Sequence, residues 1–229
     1  MRRRQSFWWS RVAATIDPDL DMAETVDYFS NHSKKLTFPW SLYHAPIVRE
    51  LARAVTESPG PDVLNVGSGP FFELSELNCR GRNFTVCDID PRAIELAKKT
   101  NGTAIVRGDV IAANAPLPYA DQMFDLVVAM DVIEHVPDPE PWLKDVLRVL
   151  RPRGSLMLTT PNYASWSLRV IEATALEAIA RVQGFSRRHL HPSKMNAVRL
   201  CELLGRVGAR RPELHEISYG WVLVARATK

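Results

Sequence analysis

Gly67 and Gly69 stand one residue apart at the end of an apolar run, "VLNVGSGP", and Asp88 follows Gly67 by 21 residues. Glycines so spaced let a backbone approach a ligand that side chains would block. An acid about 20 residues further on, ending the next apolar run, is where nucleotide-binding α/β folds place the acceptor for a ribose diol. Asp109 ends a third run, in "RGDV", where a carboxylate could accept from the exocyclic amine of a purine. Taken singly, the glycines are explained by a tight turn and Asp109 by a cap. Their conjunction points to a nucleotide-like ligand. Asp90 is different: it directly precedes Pro91 and reads as a helix N-cap.

Strand ends must hold these groups. "VLNVGS", "NFTVCDID", "TAIVRGD", "FDLVVAMDV" and "SLMLTT" read as five strands, the fourth buried on both faces. Between them, residues 71–77 read as a short helical piece and "PRAIELAKKT" as a helix. "EPWLKDVLRVL" places Trp142, Leu143, Val146, Leu147 and Leu150 on one helical face, and "RPRG" stops it. This alternation predicts a parallel sheet with helices on both faces. Further on, "SKMNAVRLCELLGRVGA" predicts a helix capped by Ser193 and stopped near Gly208. "PELHEISY" and "WVLVARAT", parted by little more than Gly220, predict an antiparallel hairpin.

At 229 residues and 46% hydrophobic, the chain suits one large domain or one with additions. The net charge of +3 is mild, with positive charge gathered at Arg2, Arg3 and Arg4 and at Arg187 and Arg188. A nucleic-acid face would need a denser basic patch. Cys79, Cys87 and Cys201 form no CxxC pair, which argues against a disulfide framework or a zinc site and for a reducing compartment. Arg11, Asp17 and Asp19 interrupt any export signal, and no run reaches membrane-span length. The expectation is a soluble, cytoplasmic protein.

Residues 63–162 resemble the class I S-adenosylmethionine-dependent methyltransferases, in the small-molecule branch that includes ubiquinone- and menaquinone-pathway enzymes. The resemblance rests on "VLNVGSGP", "VCDIDPRAIELAKK", "VRGDV" and the stretch from "PLPYADQMFDLVVAMDVIEHVPDP" to "LTTPN". It implies a Rossmann-like, seven-stranded, mostly parallel α/β sheet ending in the antiparallel hairpin. It also implies S-adenosylmethionine as cofactor. Gly67 and Gly69 become the approach to its methionine part, Asp88 the ribose ligand and Ile89 the neighbour of the adenine. Asp109 becomes the amine acceptor with Val110 beside it, and Asn65 and Met130 complete the set. Two positions depart from the family pattern: Asn65 stands where an acid is usual, and Phe71 where a third glycine is usual. Asn65 brings no negative charge to the cofactor's ammonium, and Phe71 is expected to close space beside the turn or re-angle the short helix.

"MDVIEHVPD" sets His135 just past the fourth strand, and an imidazole suits a general base for a hydroxyl acceptor. Asp131 and Glu134 could orient it. His189 and His191 are substrate-facing candidates; in sequence they lack a nearby carboxylate cluster, so no metal is expected. Residues 1–57 carry many aromatics and are read as a helical lid over a core of 58–229, with Tyr43 and His44 as its pocket-facing residues. A helical insertion at 163–192 bears a stripe of Leu168, Ile171, Ala175, Ile179 and Val182, suited to a lid, a dimer contact or a peripheral membrane contact. The expected activity is methyl transfer to a small-molecule acceptor, at a hydroxyl oxygen. Nitrogen or carbon methylation and a non-catalytic binding or regulatory protein of the same fold are the alternatives. A nicotinamide oxidoreductase would need GxGxxG, and Phe72 holds the place of its last glycine. Oligomeric state is open.

Overall fold

A computed structural model describes residues 38, 40–171, 173–174 and 191–229, and elements are numbered among these. The strands are β1 (Asp62–Val66), β2 (Asn83–Asp88), β3 (Ile105–Val110), β4 (Phe124–Met130), β5 (Leu150–Pro161), β6 (Arg210–Ile217) and β7 (Val222–Thr228). The helices are α1 (Ser41–Glu57), α2 (Pro91–Asn101), α3 (Pro139–Val149), α4 (Trp166–Ile171) and α5 (Ala197–Arg206). One seven-stranded sheet has the order β3-β2-β1-β4-β5-β7-β6. β1 to β5 pair in parallel, and β7 pairs antiparallel with both β5 and β6. The expected sheet and hairpin are both present.

The apolar runs are long because each central strand is covered twice. Leu64 and Val66 of β1 face a core shared with Leu143 and Leu147 of α3 and Leu200 and Leu204 of α5. Val63 faces the opposite core, with Leu51 and Val55 of α1, Ile94 of α2, Phe71 and Phe84. Fully burying one such side chain contributes about 1.5–3 kcal/mol. Leu51, Ala54 and Val55 share this cluster with Val63, so the packing is continuous across residue 57. The parallel register brings the carboxyl ends of β1 to β5 to one edge, and the pairing of Pro161 with Val222 puts the β6–β7 turn on that edge too.

Local signals explain the helix starts, with two corrections. Asp90 caps α2 as expected, accepting from the Arg92 N–H at 2.9 Å with Pro91 at the first position. Ser193 does not cap α5: it is buried, and its hydroxyl donates to the Val136 carbonyl at 2.6 Å. Asn196 caps instead, accepting from the Arg199 N–H at 2.9 Å. Leu150, expected on the helical face, begins β5, and "RPRG" lies within that strand. A register shift opposite Phe124 and Leu126 and a positive φ of 67° at Arg153 absorb the irregularity. No helix among the described residues is long and apolar enough to cross a membrane.

Candidate active site

The turn after β1 is built on left-handed backbone. Gly67 (φ 63°) and Gly69 (φ 55°) both need the freedom of glycine. A Cβ at Gly67 would meet the Val132 side chain at 2.6 Å, whereas around Gly69 there is open space. The N–H groups of Gly67 and Ser68 donate to the Cys87 carbonyl, at 2.8 and 3.1 Å. Asp88 ties the turn to the end of β2: its Oδ2 accepts from the Gly69 N–H at 2.8 Å and its Oδ1 from the Asp90 N–H at 2.9 Å. Burial pushes the Asp88 carboxyl above its ordinary value, against the opposing pull of those backbone donors.

Phe71 keeps the left-handed conformation that usually takes glycine, at φ 51°. Its side chain is fully buried, with its ring 5.9 Å from Phe84 in an edge-on contact. The ring therefore turns into the core and does not close the space beside the glycine turn. Asn65 is also fully buried, paired in register with Val86 and Val128. Neither atom of its amide has a hydrogen-bond partner among the described residues. Asn65 lies beneath the turn, off the surface a ligand would meet.

Beyond Asp88 the edge carries a second carboxylate and two exposed aliphatic groups. Asp109 pairs with Arg107 at 2.7 Å and accepts from the Tyr119 hydroxyl at 2.9 Å. Burial, reinforced by the hydrogen bond to the Asp109 carboxylate, raises the Tyr119 phenol, so it stays a donor. Ile89 and Val110 are 51% and 53% exposed although aliphatic, and Val110 is the register partner of Asp88. Two carboxylates flanked by two uncovered aliphatic side chains, with free space at Gly69, fit a purine nucleoside carrying a short tail. Met130 is half-buried at the end of β4.

A second cluster sits past β4. Asp131 (φ 54°) is fixed by Thr159, which donates its hydroxyl to Oδ1 at 2.9 Å. Glu134 is buried and accepts from the Thr160 hydroxyl at 2.9 Å. His135 ends the 3₁₀ turn Ile133–His135, and its ring meets that of His191 edge-on at 4.7 Å. His191 Nδ1 is hydrogen-bonded to the Tyr163 hydroxyl, and the Lys194 ammonium lies 5.3 Å from the Tyr163 ring centre. One donor atom each from Glu134, His135 and His191 lie within 4.8 Å of one another, a set that could hold a metal ion. No spacing rule joins Glu134 to His191, because β5 and most of the insertion lie between them in the chain.

Tyr43 and His44 occupy the first turn of α1, their rings 4.9 Å apart. The Tyr43 carbonyl accepts from the Ser218 hydroxyl at 2.8 Å, which ties α1 to the β6–β7 turn. His189, and Ala175, Ile179 and Val182 of the apolar stripe, lie outside the described residues. Neither Tyr163 nor the Ser218 turn is marked by a motif in the sequence; the one signal for Tyr163 is its place just after β5.

Residues 64–158 match the model of a family described as a methyltransferase domain. An uncharacterized methyltransferase of Mycobacterium sp. (strain KMS) is 35% identical over 125 residues, 53% of this chain and 47% of that protein. The chain thus spans about half the length of that relative. A ubiquinone biosynthesis O-methyltransferase of Xanthomonas campestris pv. campestris (strain B100) is 32% identical over 168 residues, covering 69% of both chains. A crystal structure of a SAM dependent methyltransferase from Aquifex aeolicus shares the fold, with a TM-score of 0.60 at 15% identity over 90% of this chain and 97% of that one.

Proposed function

Because this chain belongs to the S-adenosylmethionine-dependent methyltransferases, we propose that it methylates a small molecule at a hydroxyl oxygen, with His135 as the base. The observation that carries this reading is the meeting on one sheet edge of the Gly67–Gly69 turn, tied by Asp88, and the His135 cluster. Oxygen as the acceptor atom is supported by the O-methyltransferase among the relatives.

When bound, S-adenosylmethionine supplies a methyl group already activated on a sulfonium. The protein's tasks are to hold the cofactor, align the acceptor and take up a proton. Asp88 receives the ribose hydroxyls on the lone pairs left beside Gly69 and Asp90. Asp109 receives the adenine amine while Arg107 and Tyr119 fix its carboxylate. Ile89 and Val110 cover the base, and burying them adds apolar stabilisation. His135 removes the hydroxyl proton of the acceptor, and the Tyr163–His191 pair sets the wall against which its ring is held. Tyr43 and His44 close the acceptor side from α1.

A second reading of the same cluster has a divalent cation at Glu134, His135 and His191 lowering the acceptor's pKa, favoured by the 4.8 Å spread of those donors. One experiment separates the readings. Purified protein is incubated with methyl-labelled S-adenosylmethionine and small-molecule extracts, and labelled products are identified by mass spectrometry. His135→Ala is expected to lower turnover by about 10²–10⁴-fold while calorimetric cofactor affinity is kept. Activity abolished by a chelator and restored by a divalent cation would favour the metal reading. Cofactor binding with no labelled product would favour a non-catalytic protein, and no cofactor binding would refute the proposal as a whole.

A further inference from the structure

A cavity of about 330 Å³ lies between α1 and the β6–β7 turn. Leu42, Ala45 and Pro46 give it an apolar wall, and Tyr219 and Ser218 close the opposite side. Tyr219 is 74% exposed, with its ring tilted against that of Trp221 at 5.7 Å and the remainder open to a ligand. The cavity's one charged lining residue is Arg49, which is exposed and has no carboxylate partner among the described residues. Neighbouring cations on α1 and β7 are paired: Arg53 with Glu57, and Arg226 with Glu57.

The turn forming the far wall is strained. Ser218 (φ 52°) and Tyr219 (φ 61°) are consecutive non-glycine residues in the left-handed region, followed by Gly220 (φ 79°). A left-handed backbone is unfavourable for residues that carry a Cβ. Surrounding bonds hold the conformation. Ser218 donates to the Tyr43 carbonyl at 2.8 Å, Asn162 Nδ2 donates to the Gly220 carbonyl at 3.0 Å, and Trp221 Nε1 donates to Ser167 Oγ at 3.0 Å. Strain maintained in this way is characteristic of ligand-holding segments. Asn162 also joins the turn to the proposed reaction centre. It precedes Tyr163, which bonds His191, and lies two residues after Thr160, which bonds Glu134 beside His135.

We propose that this cavity receives the part of the methyl acceptor remote from its reacting hydroxyl, and that this part is a carboxylate on a compact apolar skeleton, met by Arg49. The proposal rests on the methyltransferase reading and adds the acceptor's chemical class to it. The guanidinium fork matches a carboxylate in two parallel hydrogen bonds, and the apolar wall with Tyr219 suits a single ring or its equivalent. The depression is open to solvent on one side, so a single ring can lie against its wall while the rest of the acceptor extends from it.

The test uses benzoate and its neutral isostere benzamide, titrated into the full chain by calorimetry and by amide NMR, with S-adenosylmethionine titrated in parallel. Benzoate is expected to bind at least about tenfold more tightly than benzamide, with shifts centred on residues 41–49 and 218–221. Arg49→Gln should abolish that preference and leave cofactor affinity unchanged; Arg49→Lys should keep part of it. Equal binding of the two probes, no benzoate binding, a preference that survives Arg49→Gln, or shifts centred elsewhere would each overturn the proposal. Failure of S-adenosylmethionine to bind the wild-type protein would instead strike the methyltransferase reading, and the two results are read independently.

Discussion

Replacing Phe71 by glycine restores the residue usual at that place in the turn, and the structure says the change is harmful. Two effects oppose each other. Glycine relieves a left-handed backbone at φ 51°, worth roughly 1–2 kcal/mol. It also deletes a fully buried ring packed edge-on against Phe84, and truncating a buried phenylalanine costs about 3–5 kcal/mol. The difference is a net loss of roughly 1–4 kcal/mol. Urea unfolding of both proteins, extrapolated linearly to water, measures it directly. Calorimetric affinity for S-adenosylmethionine should stay near wild type, because the ring points away from the open side of Gly69. A Phe71→Gly protein as stable as wild type, or one that binds the cofactor tenfold more tightly, would show that the ring fills cofactor space and that its core role has been misjudged.

Two further outcomes are expected. Burial holds the Asp88 carboxyl above its ordinary 3.8. Its contribution to folding stability is therefore present below that value and lost as pH rises through the raised one; cofactor binding runs the other way, because ribose hydroxyls donate to the charged form. Affinity for S-adenosylmethionine should weaken as pH falls from neutral through the raised value, and Asp88→Asn should flatten this dependence at a cost of about 1.5–3 kcal/mol at neutral pH; the same slope in both proteins would refute the assignment. Asn65→Leu removes a buried amide without partners among the described residues, so unfolding should show a gain of about 1–3 kcal/mol, and a loss of stability would mean that the amide is satisfied by something such as a buried water.

The parts of the fold that could be read in advance were those whose cause is local. Doubly covered strands such as Phe124–Met130 appear as continuous apolar runs, and the Asp90–Pro91 pair announces α2 within two residues. Ser193 misled because its hydroxyl is taken by the Val136 carbonyl, 57 residues away in the chain. Asp88 and Asp109 were legible as carboxylates at strand ends, because the strand pattern itself places them there. Asn65 was legible as a position but not as an environment: its sealing depends on Val86 and Val128 from two other strands. The pairing of Tyr163 with His191 spans the insertion, and no spacing rule reaches across it. The left-handed turn at Ser218 and Tyr219 was hidden for the opposite reason, because neither residue type favours that backbone and only the bonds from Asn162 and Tyr43 make it tenable.

The position of β7 has a consequence in time. It follows β6 in the chain yet lies between β5 and β6, so the sheet cannot be laid down in the order in which the ribosome delivers its strands. Until residues 222–228 emerge, β5 presents an open edge along Ser155–Pro161 and β6 has no strand to pair with. An open edge is a template for any extended chain nearby. The nascent protein thus passes through an interval in which five strands are ready and the sixth has nowhere to go, and late non-local pairing of this kind slows folding and prolongs exposure to misassociation. Docking of a single seven-residue strand ends the interval by covering the edge of β5 and giving β6 its partner in one step.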